Sequence, residues 1–151
     1  MKESILNSTT VVQIGIVVKD IEETGKKYCE FLGCDMPAIQ ITGELSESKA
    51  EYKGNPCPAR AKLAFFNVGD NLTLELIEPD GNPSTWQEHL DIKGEGVHHI
   101  AFFIKDTEGK IKKMESLGMP LLQKGEYTGG RYAYFDAFDT LKLIVESLEN
   151  D

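Results

Sequence analysis

The segment Gln13-Ile14-Gly15-Ile16-Val17-Val18-Lys19-Asp20 returns 86 residues later as His99-Ile100-Ala101-Phe102-Phe103-Ile104-Lys105-Asp106. Each copy leads into a charged stretch that stops at Leu-Gly, first Leu32-Gly33 and then Leu117-Gly118. Further matches follow in the same order: Ala64-Phe65-Phe66-Asn67 with Ala133-Tyr134-Phe135-Asp136, and Leu74-Glu75 with Val145-Glu146. Such a doubled unit constrains the fold strongly, because the elements must then come in the same order in both halves, and 151 residues make one ordinary domain or two very small ones.

Each copy reads as a strand, a helix and three strands. The β-branched run over 11–18 is short and alternating, which suits a strand. Asp20 with Glu23 three residues on forms a capping box, and Gly33 supplies a left-handed stop, so a helix is expected over 21–32. Asp106 and Gly118 bracket its twin. Strands are expected over 36–42, 61–68 and 72–78, the last two joined by a tight turn at Gly69-Asp70-Asn71, and again over 119–124, 131–137 and 141–148. The expected fold is α+β, one domain over 1–151: two tandem βαβββ modules, about 10–80 and 97–149, form a curved, partly closed, eight-stranded mixed sheet around a metal site.

Two polar stretches interrupt this plan. Residues 43–58 make a long loop ending in Gly54-Asn55-Pro56-Cys57-Pro58, of a length found in lids, binding loops and disordered connectors. Residues 81–96 link the modules and carry a short helix over 84–90 anchored by Trp86, a candidate for packing or substrate contact.

Composition narrows the partners. Sixteen Lys plus Arg against 25 Asp plus Glu gives a net charge of −9, the wrong sign for a phosphate backbone or an anionic membrane. No apolar run approaches the roughly 18 residues that cross a bilayer. Cys29, Cys34 and Cys57 are odd in number and lack C-x-x-C spacing, so free thiols in a reducing compartment are expected. The first ten residues lack the charged and apolar parts of a secretory signal, and the cytoplasm is the expected location.

Period-two geometry selects the chemistry. If Val12, Ile14, Ile16 and Val18 face the helix, then Gln13, Gly15 and Val17 face the concave side. The same alternation puts His99, Glu75 and Glu146 inward among apolar neighbours, with His98 on the opposite face and His89 in the linking helix. Gln13 and His99 are equivalent by the repeat, as are Glu75 and Glu146. Two carboxylates buried without a cation are costly, so the four are read as metal ligands. One imidazole, one amide oxygen and two carboxylates suit zinc, nickel, cobalt, manganese or iron, with water completing the shell. A single inward His argues against an oxygen-activating iron site of two His and one carboxylate. Arg131, in Gly129-Gly130-Arg131-Tyr132, is a candidate for gripping a substrate carboxylate or phosphate, and Arg60 is its weaker counterpart in the first half.

The doubled plan, Gly96-Val97-His98-His99-Ile100-Ala101-Phe102 opening the second half and Leu143-Ile144-Val145-Glu146 closing it resemble the vicinal oxygen chelate superfamily, which includes glyoxalase I and methylmalonyl-CoA epimerase. The resemblance covers about residues 10–149. It implies a metal held by Gln13, Glu75, His99 and Glu146, with Glu146 as the base and Glu75 returning the proton. The order Gln, Glu, His, Glu is similar to glyoxalase I, whereas His-His-Ile-Ala is most similar to the epimerases. The strand over 61–68 lacks the additional acid that the epimerases carry there, and the turn Phe135-Asp136-Ala137-Phe138-Asp139-Thr140-Leu141 lacks the Asp-Pro-Asp-Gly of many glyoxalases. The implied function is a metal-dependent isomerase or lyase that moves a proton α to a carbonyl, epimerase-like or glyoxalase-like, acting as a homodimer. The alternative is a drug-binding module that uses the concave sheet without chemistry.

Overall fold

Two strands, β1 (Gln13–Val17) and β7 (Gly96–Phe103), pair antiparallel and form the seam on which the two halves meet. On one side β1 runs parallel to β6 (Thr73–Pro79), followed by β5 (Ala61–Asn67) and the edge strand β2 (Gln40–Ile41). On the other, β7 runs parallel to β10 (Ile144–Asn150), followed by β9 (Gly130–Asp136) and β8 (Leu121–Tyr127). The computed structural model describes residues 2–151, and all these strands belong to one curved, partly closed mixed sheet.

The helices form where capping predicts them. α1 (Ile21–Leu32) starts on Asp20, whose side chain accepts from the Glu23 N–H, and ends on left-handed Gly33 at φ 67°. Its Ile21, Tyr28, Cys29 and Leu32 pack on the outer side of the sheet against Ile16, Val18, Ala64, Phe66 and Leu76. The twin, α4 (Thr107–Ser116), is capped by Asp106 and covers the outer side of the second half through Ile111 and Met114. α3 (Thr85–Lys93), capped by Ser84, instead fills the concave side: Trp86 packs with Val17, Ala61, Ile77, Tyr134 and Ile144. A short α5 (Phe138–Leu141) precedes β10.

The sheet has ten strands where eight were expected, because the long loop of the first half is itself folded. Residues 43–58 form α2 (Leu45–Ser48) and a hairpin of β3 (Glu51–Tyr52) and β4 (Asn55–Pro56). Lys53 and Gly54 both have positive φ, 50° and 81°, as a tight hairpin turn requires. Ala50, Cys57 and Ala59 make a small core beneath it. β3 pairs with β8 of the second half, Glu51 opposite Lys124 and Tyr52 opposite Gln123, so the insertion of one half extends the sheet of the other. The strand expected over 36–42 shrinks to β2. Both outer strands are two residues long and β4 ends in Pro56, which leaves little edge for sheet pairing with a second copy.

One irregularity sits at the seam. Gly15 pairs with His99, but Ile16 pairs with Val97, leaving His98 as the extra residue of a β-bulge. No helix of the described residues is long and apolar enough to cross a membrane. Cys29, Cys34 and Cys57 are free thiols.

Candidate metal and proton-transfer site

Strand register builds the site in two adjacent rows. Across one row stand Phe65, Glu75, Gly15, His99 and Ile144; across the next stand Asn67, Thr73, Gln13, Ala101, Glu146 and Tyr134. Small residues occupy the centre of each row, Gly15 between Glu75 and His99 and Ala101 between Gln13 and Glu146. Gly15 and Ala101 are themselves equivalent in the repeat. The four larger polar side chains therefore lean over the seam and meet. His99 Nε2 is 2.9 Å from Gln13 Oε1, 2.9 Å from Glu146 Oε2 and 3.5 Å from Glu75 Oε1. All four residues are buried, His99 completely.

The electrostatics of this cluster are unbalanced. Burial, and then the neighbouring Glu146, push the Glu75 carboxyl well above the usual carboxylate range. Glu75 Oε1 and Glu146 Oε2 are buried without a hydrogen bond, and His99 is the only ion-pair neighbour of either acid among the described residues. The oxygens close on the imidazole nitrogen itself, and no group of three or more His, Cys, Asp and Glu among the described residues is spaced as a metal cage. The chemistry of the donors is nonetheless of the kind that suits a divalent cation: two orphaned carboxylate oxygens, an amide oxygen and an imidazole nitrogen converge, and among the described residues no lysine or arginine pairs with them.

A second layer stands behind His99. The expectation that His98 faces the opposite side of the sheet does not hold, because the bulge brings its ring against that of His99, with centroids 5.1 Å apart. His98 Nδ1 and His99 Nδ1 are 2.9 Å apart, and His98 Nε2 lies 3.1 Å from the Thr85 hydroxyl. Burial first, then His99 and His89, hold the His98 imidazole well below the ordinary histidine range. Tyr134 packs its ring on both His98 and His99 and accepts a hydrogen bond from Trp86 Nε1 at 3.2 Å. Trp86 is thus a buried wall of the concave interior, one residue removed from the polar cluster.

The two arginines lie elsewhere. Tyr132 and Tyr134 face inward, so alternation puts Arg131 on the outer face, where it pairs with Glu149 at 3.5 Å and with Asp151. Arg60 is likewise on the outer side and donates to the Thr42 carbonyl at 2.8 Å. Neither reaches the four polar residues. Two cavities of about 230 Å³ flank the site: one is lined by Val12, Gln13, Thr73, Phe103 and Leu148, the other by Thr85, His89, Phe138 and Ile144. Sequence reading missed Gly15, His98, Thr85 and Tyr134. A glycine in mid-strand signals close approach, so Gly15 was legible; the bulge was not.

The fold and the site define a class of proteins in which two sheet-sharing halves enclose a polar cluster on the concave face. The chain belongs to the Glyoxalase/Bleomycin resistance protein/Dioxygenase superfamily, whose sequence profile matches residues 12–135. The uncharacterized protein YqjC of Bacillus subtilis (strain 168) is 28% identical over 139 residues, covering 90% of this chain and 89% of that one. Similar folds are seen in the hypothetical protein BH1468 from Bacillus halodurans C-125, with 21% identity, a TM-score of 0.65 and 94% coverage of each chain. Methylmalonyl-CoA epimerase from Mycobacterium tuberculosis gives 19% identity and a TM-score of 0.65, covering 100% of this chain and 93% of that one. The Streptomyces coelicolor methylmalonyl-CoA epimerase in complex with 2-nitronate-propionyl-CoA gives 22% identity and a TM-score of 0.63, covering 94% and 97%.

Proposed function

We propose that the chain is a divalent-metal-dependent isomerase or lyase that moves a proton α to a carbonyl, epimerase-like in its substrate class. The observation that carries this reading is the pair of buried carboxylate oxygens without hydrogen-bond partners, both turned toward His99 Nε2. Gln13, Glu75, His99 and Glu146 would hold the cation. When bound, a divalent cation supplies the positive charge that a carbonyl oxygen needs as its α-proton leaves.

The two acids divide the proton chemistry. A pair of neighbouring carboxylates in one buried site favours a single proton between them. We assign Glu146 to take the proton and Glu75 to return it, both carboxylates standing beside His99 Nε2. The cavity beside Gln13 offers Val12, Phe103 and Leu148 to the apolar part of a substrate, and the wall of Tyr134 and Trp86 keeps water from the far side of His99.

Methylmalonyl-CoA is the first substrate to try, since solved epimerases share the fold, and the hemithioacetal of methylglyoxal with glutathione is the second, since Gln, Glu, His and Glu occur in the glyoxalase order. Elemental analysis of the purified protein should find about one divalent transition metal per chain, and the loaded protein should exchange the α-proton of a substrate in heavy water. A ligand bound tightly and never exchanged would favour the sequestering module. The homodimer and the cytoplasmic location belong to the same proposal; light scattering that returns a 16.8 kDa particle at micromolar concentration would oppose the dimer.

A further inference from the structure

We infer that Cys29, Cys34 and Met36 form a binding site for a soft monovalent cation, Cu(I), at the exposed end of α1. The site is independent of the polar cluster, for it lies on the outer side of the sheet and shares no residue with it. The stop of α1 assembles it. Left-handed Gly33 turns the chain back, so that its own N–H and that of Cys34 both donate to the Cys29 carbonyl, at 2.9 and 3.1 Å. In a helix stop of this kind the residue after the glycine returns against the residue five before it, and the Cys34 thiol accordingly stands beside the Cys29 thiol. Two cysteines that lack C-x-x-C spacing in the sequence are thus neighbours in space.

Met36 supplies the third sulfur. Its side chain lies back along α1, and its Sδ accepts from the Cys29 thiol at an Sγ to Sδ distance of 3.9 Å. The groove that holds it exists because residue 25, one turn before Cys29 on the same face, carries no side chain: a Cβ at Gly25 would stand 2.8 Å from Met36 Sδ and nearer still to Cε. Two sulfurs that share a three-coordinate metal through bonds of about 2.3 Å are about 4 Å apart, so one edge of the site already has its metal-bound length. Because the third donor is a thioether, the set is no cage of His, Cys, Asp and Glu. Zinc takes thiolate, imidazole and carboxylate, whereas thiolate with thioether selects Cu(I). The chain's three histidines are packed together around His98 in the interior, away from this end of α1, which leaves the site to sulfur. Cys29 is half-buried, while Cys34 and Met36 are exposed, so the ion enters from solvent; Cu–S bonds replace the two S–H bonds, and both protons leave to water.

The test is an anaerobic titration of the reduced full chain with Cu(I), in competition with a coloured Cu(I) chelator. The parent should hold about one Cu(I) per chain against it. Loss of even an outer partner of a metal ligand typically costs about 10- to 100-fold in affinity. Cys34→Ser, which removes a bonding thiolate from an exposed position, should therefore cost at least about 100-fold, and Met36→Leu, which keeps the volume, about tenfold. X-ray absorption of the Cu(I)-loaded parent should show sulfur ligands alone, at about 2.3 Å. That spectrum needs no variant, so it decides the matter even where a variant folds poorly. Parental affinity in either variant, nitrogen or oxygen bound to the metal, or a single Cu(I) bridging the Cys34 thiols of two chains overturns the inference, and none of these results bears on the proton-transfer site.

Discussion

The ring of His99 occupies the space above Gly15. A side chain at position 15 would place its Cβ 2.5 Å from His99 Nε2 and nearer still to Cε1 and Nδ1. Gly15 and His99 are direct partners across the seam, so the strand that offers Gln13 as one member of the cluster also makes room, two residues on, for the imidazole offered by its repeat. Ala101 does the same for Glu146 and Gln13 in the adjacent row.

Gly15→Ala tests that relationship. The added methyl cannot coexist with the ring, so His99 must swing out or the seam must part. Overfilling a packed core typically costs about 1–3 kcal/mol, and the loss should appear as a lower urea midpoint together with weaker zinc binding. Parental stability and parental zinc affinity in the same variant would show that the ring does not lie over Gly15.

Glu146→Gln separates binding from chemistry. The amide oxygen still coordinates a cation and the residue keeps its size, but it can no longer take a proton. Removing a general base typically lowers rate by about 10²- to 10⁴-fold, so exchange of the substrate α-proton should nearly vanish at saturating metal. Glu75→Gln should reduce exchange less if Glu75 only returns the proton, and equally if the two acids take turns. Exchange at the parental rate in Glu146→Gln would remove this residue from the role.

Much of this fold is written locally. Asp20 with Glu23 and the left-handed Gly33 fix α1, and alternation assigns Gln13, Glu75, His99 and Glu146 to one face, because capping and pleat depend on near neighbours. What depends on distant partners was hidden. The bulge at His98 arises from the pairing of β1 with β7 and turns a side chain that strict alternation sends away. The hairpin of residues 51–56 has its turn signal in Lys53-Gly54, but its docking on β8 is a contact between halves. Arg131 read as a candidate on the strength of its flexible neighbours; its face follows from the inward Tyr132 and Tyr134, and its partners are Glu149 and Asp151.

Glu75 should make the metal-free protein less stable as pH rises. Its carboxyl is held well above the ordinary range by burial and then by Glu146, whereas in the unfolded chain it titrates at about 4.3. A raised folded value means that its contribution is fully present below the unfolded value and is lost as pH climbs toward the folded one. In protein stripped of metal, the urea midpoint should fall over that interval. Glu75→Gln, which cannot ionise, should flatten the fall and leave the stripped variant more stable than the parent above it, by at least about 1 kcal/mol. Identical pH profiles for the two proteins would show that ionisation of Glu75 costs nothing in the fold.

Glu149 should act in the opposite direction. Its carboxylate accepts from the Thr107 hydroxyl at 2.5 Å and from the backbone N–H groups of Thr107 and Asp106, both at 3.0 Å. It thereby ties the last strand to the start of α4. Those hydrogen bonds, led by the Thr107 hydroxyl and helped by Arg131, bring its carboxyl down to about 2. A lowered folded value contributes stability above the unfolded value of about 4.3 that is lost as pH falls toward 2. Glu149→Gln keeps the shape but not the charge. It should lower stability at pH 7 by about 1 kcal/mol, the scale of a weakened helix cap, and should remove part of the acid loss between pH about 4.3 and 2. Urea midpoints of parent and variant across that range make the comparison. A variant whose acid limb matches the parent's would mean that the start of α4 holds without the charge, and that Arg131 and Glu149 form an ion pair of no consequence to the fold.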